Sequence, residues 1–98
     1  MYARVTTVQL QPGVADEVTQ YVRDTVVPAA KNAQGFGGIL VLTDPANNKG
    51  IAITFWDSEA DMAAGEASSG YYAQALAGAA RYFTAQPGRE KYEVRIKE

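Results

Sequence analysis

The sequence predicts an α+β protein of order βαββαβ: a four-stranded antiparallel sheet with helices over one of its faces, the ferredoxin-like arrangement. Three patterns predict it. Four segments have the composition and alternation of strands, and apolar residues recur at helical spacing in the intervals after the first and the third. Between the second and third segments, Asp44-Pro45-Ala46-Asn47-Asn48-Lys49-Gly50 carries the turn chemistry of a hairpin loop joining antiparallel strands.

The first strand is expected over Tyr2 to Leu10, with Tyr2, Arg4, Thr6, Val8 and Leu10 on one face and Ala3, Val5, Thr7 and Gln9 on the other. Gln11-Pro12-Gly13 turns the chain. Val14, Val18, Tyr21, Val22, Thr25 and Val26 then form one stripe of an amphipathic helix, and Asp16 and Glu17 in its first turn suit the helix dipole. Pro28 has no N–H for the helical ladder and its ring crowds the preceding turn, so a kink or stop is expected around Val27, with Ala29 to Asn32 as a last turn.

Phe36 to Thr43 reads as a continuous apolar strand whose two glycines predict a bulge or a close backbone approach. In the third strand, residues 51 to 56, Ile51, Ile53 and Phe55 point one way and Ala52, Thr54 and Trp56 the other, and both sets look buried. Asp57 or Ser58 caps the next helix, Ser58 and Asp61 approximating a capping box. Gly65 and Ser68-Ser69-Gly70 interrupt the Ala-rich region that follows. It divides into a short helix to about Ala67 and a second over Tyr71 to about Tyr82. After Gln86-Pro87-Gly88, Tyr92, Val94 and Ile96 alternate with Glu93, Arg95 and Lys97 in a last, edge-like strand with one buried face.

At 98 residues a single domain spanning 1–98 is expected, large enough for a core without disulfides or metal. A net charge of −2 with dispersed Lys and Arg offers no basic stripe, so neither nucleic acid nor a membrane surface is an expected partner. Met-Tyr-Ala-Arg-Val lacks an apolar signal core, and the longest apolar run, Gly35 to Leu42, is too short to span a bilayer; a cytoplasmic location is expected. The chain contains no cysteine and no histidine. This removes thiolate nucleophiles, zinc–thiolate and iron–sulfur sites, Ser-His and Cys-His arrangements and the common haem ligand. No acidic cluster has metal-loop spacing, and no metal is expected. Because helices cover one face only, the two-sided middle strands predict a homodimer through the helix-free sheet face. Burying Ile51, Ile53 and Phe55 there is worth roughly 1.5–3 kcal/mol per side chain.

Val8-Gln9-Leu10-Gln11-Pro12-Gly13, Gly35-Phe36-Gly37-Gly38 and, above all, Phe55-Trp56-Asp57-Ser58-Glu59 before a helix carry a resemblance that covers nearly the whole chain. The sequence resembles the antibiotic biosynthesis monooxygenase-like superfamily of dimeric α+β-barrel proteins. The resemblance implies a small homodimer with one cavity per subunit and a cofactor-independent monooxygenase-like activity on a planar aromatic or quinol-type substrate, whose carbanion or enolate itself reduces O₂. It equally admits a non-catalytic dimer that binds a small apolar or aromatic ligand. The strand-end Trp that borders the cavity in oxygenase members matches Trp56. An Asn placed deeper on that face falls at Ala52, and a substrate-contacting Tyr falls at Met62. In the haem-degrading branch the axial His falls at Ala75, the distal Asn at Thr6 and the haem-distorting Trp near Gly65, so haem degradation is not expected.

The same resemblance turns the face bearing Arg4, Thr6, Thr54 and Trp56 toward the cavity. With Tyr72 these are the candidate substrate-binding residues; no catalytic residue is assigned. Trp56 is a cavity wall or a core aromatic with its N–H bonded to a backbone carbonyl. Arg4 either stabilises a developing enolate or phenolate oxygen or runs its stem out to solvent. Tyr72 shares a helical stripe with Leu76, Ala79 and Phe83, whereas Arg81 lies off it and complements the helix C-terminus. Asp57, Ser58, Glu59 and Asp61 are explained by capping and a solvated first turn.

Overall fold

Backbone pairing builds the sheet outward from β1 (Tyr2–Gln9), which lies between β3 (Lys49–Trp56) and β4 (Gly88–Glu93). Strand β2 (Phe36–Asp44) takes the far edge, so the order is β2-β3-β1-β4 and every pair is antiparallel. The structure, a computed structural model, describes residues 1–67 and 70–98. Side chains of directly paired residues lie on the same face of a sheet. Thr6 pairs with Ala52 and Arg89, Arg4 with Thr54 and Lys91, and Ala52 in turn with Val41. These residues form one face, and the helices cover its central part. Thr6, Thr54 and Trp56 are buried there, and Trp56 and Met62 are the largest fully buried side chains.

Asp44 faces Lys49 across the predicted hairpin. The loop is held by the Asn47 Nδ2 donating to Asp44 Oδ2 at 2.8 Å, and Asn48 takes the left-handed φ of 54° that Asn tolerates. The predicted bulge falls between Phe36 and Gly38, where Gly38 has φ of 140°.

The first helical segment differs from expectation in an informative way. Helix α1 (Ala15–Tyr21) and helix α2 (Val27–Lys31) are joined through a single π-turn at Val22–Val26, and the Val27 N–H reaches back five residues to the Val22 carbonyl. Pro28 therefore neither stops the helix nor simply kinks it; the widened turn accommodates the missing N–H and the ring. The extra residue also shifts the stripe's phase. Val18 and Val26 are buried, but Thr25, expected on the stripe, is exposed.

Helix α3 (Glu59–Gly65) starts as predicted, with the Ser58 hydroxyl accepting the Asp61 N–H at 3.1 Å. Gly70, in extended conformation, precedes α4 (Tyr71–Ala79), which tightens into a 3₁₀ turn over Ala80–Tyr82. The expected break at Ser68 and Ser69 lies outside the described residues. No described helix is long and apolar enough to cross a membrane.

The last strand lies further upstream than its alternation suggests. β4 ends at Glu93 because β1 begins opposite it at Tyr2; one more backbone bond, Val94 N–H to Met1 O, uses the end of the available partner. Residues Arg95 and Lys97 then have no strand to pair with. Tyr92 is 50% exposed and Ile96 80%, so the alternating residues do not form a buried face within one chain. On the same helix-free side Leu40 and Leu42 are each 51% exposed and Ile51 36%.

Gly65 tests how tightly the helices sit on this sheet. Helix propensity favours alanine over glycine by up to about 1 kcal/mol. A Cβ at Gly65 would, however, stand 2.8 Å from the Trp56 ring and 3.3 Å from Tyr71. Overpacking of about 1–3 kcal/mol should win, and Gly65→Ala is expected to lower the urea midpoint, a net loss of roughly 1 kcal/mol.

Candidate functional site

The inward face of the sheet and the helices do not close completely on each other. Between them lies a cavity of about 100 Å³ with Thr6, Ala52 and Thr54 on the sheet side, Val22 on the first helical segment, and Tyr72 and Leu76 on α4. Among the described residues no charged side chain lines it. Its apolar walls come from β-branched strand residues and from the helix stripes, and its polar groups are hydroxyls in defined places. Thr6 Oγ1 and the Tyr72 hydroxyl are hydrogen-bonded at 2.7 Å, both residues being buried. The Thr54 hydroxyl accepts the Trp56 indole N–H at 2.9 Å.

Thr6, Thr54 and Tyr72 thus line the cavity; Arg4 and Trp56 do not. Arg4 follows neither of the two expectations for it. Its Nε and Nη2 both donate to the Glu66 carboxylate, the second at 2.7 Å, and the Glu66 side chain is only 8% exposed. Pairing with Glu66 holds the Arg4 guanidinium above its usual range, against the opposing effect of burial. The Arg4 charge is therefore compensated before any ligand arrives. Arg89 approaches the same carboxylate at 3.6 Å and lies over the Tyr72 ring, 5.0 Å from its centroid.

Trp56 is fully buried, with Phe36 edge-on at 5.6 Å and Tyr71 stacked at 5.9 Å with 28° between the planes. It occupies the position of a core aromatic, and its N–H partner is the Thr54 hydroxyl in place of the expected backbone carbonyl. Arg81 is exposed and donates to the Tyr82 hydroxyl at 2.8 Å.

Sequence reasoning missed Tyr71. It lines the cavity, and its buried hydroxyl has no hydrogen-bond partner among the described residues. Burial pushes the phenol up to about 12, an effect that the nearby Thr54 hydroxyl partly opposes. The stripe argument selected Tyr72 because adjacent helical residues point about 100° apart. A second spacing was present, since Tyr71 lies four residues before Ala75, which also lines the cavity.

The sequence model of the family described as antibiotic biosynthesis monooxygenase matches residues 1–73. This chain belongs to the antibiotic biosynthesis monooxygenase family. Among curated relatives, the uncharacterized protein Rv2558 of Mycobacterium tuberculosis is 36% identical over 58 residues, covering 59% of this chain and 25% of that protein. The chain spans about a quarter of the length of the curated relatives it matches. A monooxygenase from the gene ActVA-Orf6 of Streptomyces coelicolor, in complex with the ligand nanaomycin D, superposes with a TM-score of 0.83 at 12% identity, over 99% of this chain and 89% of that one. A variant of SnoaB, a cofactor-independent oxygenase from Streptomyces nogalater, gives 0.78 at 13% identity, over 98% and 94%. At such identities the likeness is one of fold, and it agrees with the family fold expected from the Trp56 strand-to-helix junction.

Ionisation of the Tyr71 phenol makes stability depend on pH within this family site. Its ordinary value is 10.0 and the folded protein holds it near 12 because burial disfavours the phenolate, so the phenol exacts no ionisation cost below pH 10 and stability falls as the pH rises from 10 through 12. Denaturation followed across that window is expected to show a larger loss for the native chain than for Tyr71→Phe; parallel losses would remove Tyr71 as the cause.

Proposed function

We propose that the cavity is the substrate site of a small homodimeric, cofactor-independent monooxygenase acting on a planar aromatic or quinol-type compound. The observation that carries this reading is an uncharged, apolar cavity under the helices with Thr6, Thr54 and Tyr72 hydroxyls on its wall. Thr6 and Tyr72 share one hydrogen bond, so one of their two hydroxyl hydrogens remains for a ligand oxygen.

For a substrate such as an anthrone, ionisation of an acidic C–H bond gives an enolate, and hydroxyl donors stabilise its oxygen. The enolate carbon bonds to O₂, the resulting peroxide anion takes up a proton, and the hydroperoxide loses its distal hydroxyl and the hydrogen on the same carbon as water to leave a carbonyl. One oxygen atom ends in the product and the other in water, with O₂ as the oxidant. The lining offers no carboxylate or imidazole base among the described residues. The substrate is therefore one acidic enough to ionise in solvent before the cavity closes it off from bulk water. The cavity supplies orientation and exclusion of bulk water.

The Arg4–Glu66 pair supports a second reading, a dimer that binds an aromatic compound without turning it over, because that pair commits the Arg4 charge to a carboxylate and away from an enolate. Oxygen uptake with anthrone and hydroquinone under metal-free conditions separates the two. Turnover above the spontaneous rate, lowered about tenfold in Tyr72→Phe by loss of a contact worth about 1.4 kcal/mol, is expected for the enzyme. Saturable quenching of Trp56 fluorescence without turnover would favour binding alone.

The proposed dimer buries the helix-free face, where Leu40, Leu42, Ile51 and Tyr92 leave apolar surface exposed in the single chain. Light scattering at micromolar concentration is expected to give twice the chain mass, and Leu42→Glu to shift it toward the monomer. A monomeric mass for the unaltered chain would refute the assembly.

A further inference from the structure

The hydroxyls around the cavity are not equivalent in what they still have to offer. Trp56 donates to Thr54, and Thr6 and Tyr72 are bonded to each other. Tyr21, also on the lining, donates to the Ala75 carbonyl at 3.2 Å. Tyr71 alone among these side chains has a buried polar atom with no partner in hydrogen-bonding geometry among the described residues; the Thr54 hydroxyl is near enough to oppose the upward shift of the phenol but is bonded to Trp56. A buried hydroxyl without a partner loses its hydration and gains nothing in return, so such groups call for an explanation in a folded protein.

The setting limits what could satisfy it. The Tyr71 ring is stacked on Trp56 at 5.9 Å and packs edge-to-face with Tyr72 at 6.3 Å, contacts that hold the phenol in place. Among the described residues no carboxylate lines the cavity to accept its proton, and burial keeps the phenol protonated well above neutrality. A protonated phenol with its ring fixed is a directional O–H donor. Its complement in an uncharged, apolar cavity is a neutral acceptor oxygen attached to a flat carbon frame.

We infer that Tyr71 donates a hydrogen bond to a carbonyl-type oxygen of the aromatic ligand, which makes it a specificity-determining residue for ring ketones and quinone-like compounds over the corresponding hydrocarbons. This rests on the reading of the cavity as an aromatic-compound site. The same donor strengthens its bond as negative charge develops on that oxygen during enolate formation.

The test is calorimetric titration of the full chain with 1-indanone and with indane, which share a bicyclic skeleton and differ by one carbonyl oxygen. Tyr71→Phe is expected to weaken 1-indanone binding about tenfold and to leave indane binding unchanged. Without ligand, Tyr71→Phe should melt no lower than the native chain at neutral pH, because it removes an unsatisfied hydroxyl and keeps the stacked ring. Unchanged binding of both compounds, or equal weakening of both with a lowered melting point, overturns the inference while the cavity reading stands. Failure of the native chain to bind either compound overturns the cavity reading, and the inference with it. The infrared carbonyl stretch of 1-indanone bound to the native chain gives a measurement that needs no variant. A move to lower wavenumber supports the donor, and an unshifted stretch overturns it.

Discussion

Because Arg4 pairs with Thr54 and Thr6 with Ala52, one face of β1 and β3 is committed to the space beneath the helices and the other to the outside. A slip of one residue in this register would turn β1 over against β3, bringing Val5 under the helices beside Thr54 and moving Thr6 to the open face. The hydroxyls that give the cavity its polarity, the indole that sits behind them and the apolar residues left on the helix-free side all depend on that single alignment. The hairpin at Asp44 and Lys49 then carries the same choice over to β2, where Ile39 and Val41 turn inward.

Electrostatics divide the covered face along its length. Near β4 the face is charged, with Arg4, Glu66 and Arg89 forming a compact group, whereas the cavity has no charged lining. A buried carboxylate is costly unless paired, and two-point contact from an arginine is the geometry that best offsets the cost. Glu66 follows α3, so the pair also ties the sheet to the end of that helix. Removing Arg4 would leave Glu66 buried beside the more exposed Arg89 alone, and a change in any ligand binding would then follow from a disturbed wall as much as from a lost cation.

Most of the architecture was legible because it rests on local chemistry. Ser58 caps its helix, Asn47 and Asn48 make their turn, and the glycines at the start of β2 make their bulge, each for a reason contained in a few adjacent residues. What was not legible depended on partners distant in sequence. The end of β4 is set by where β1 begins, which alternation in residues 92 to 97 does not contain. Arg4 finds Glu66 across the fold, a pairing that strand periodicity has no means to signal. Pro28 gave warning of a disturbed helix, but a π-turn, a kink and a stop are alternative responses to the same missing N–H, and the packing of Val18 and Val26 beneath the helix favours the response that keeps it continuous. In the site itself the strand positions Thr6 and Thr54 and the helix position Tyr72 followed from periodicity together with the family resemblance. Tyr71 did not, because its distinction lies in a partner that is absent.

Trp56 connects the part of the chain that marks the family to the part that carries the chemistry. The strand-to-helix junction places its ring against Tyr71, and Gly65 makes room for it on α3. Its N–H is donated to Thr54, which engages one lone pair of that oxygen and leaves the Thr54 hydrogen available toward the cavity. Trp56 therefore need not touch a ligand to matter: it orients one hydroxyl and braces the ring that carries another. Replacing it with phenylalanine would keep much of the packing but remove the donor that fixes the orientation of the Thr54 oxygen. The residue that most clearly identifies the fold thus acts on the cavity through the two hydroxyl-bearing side chains it touches.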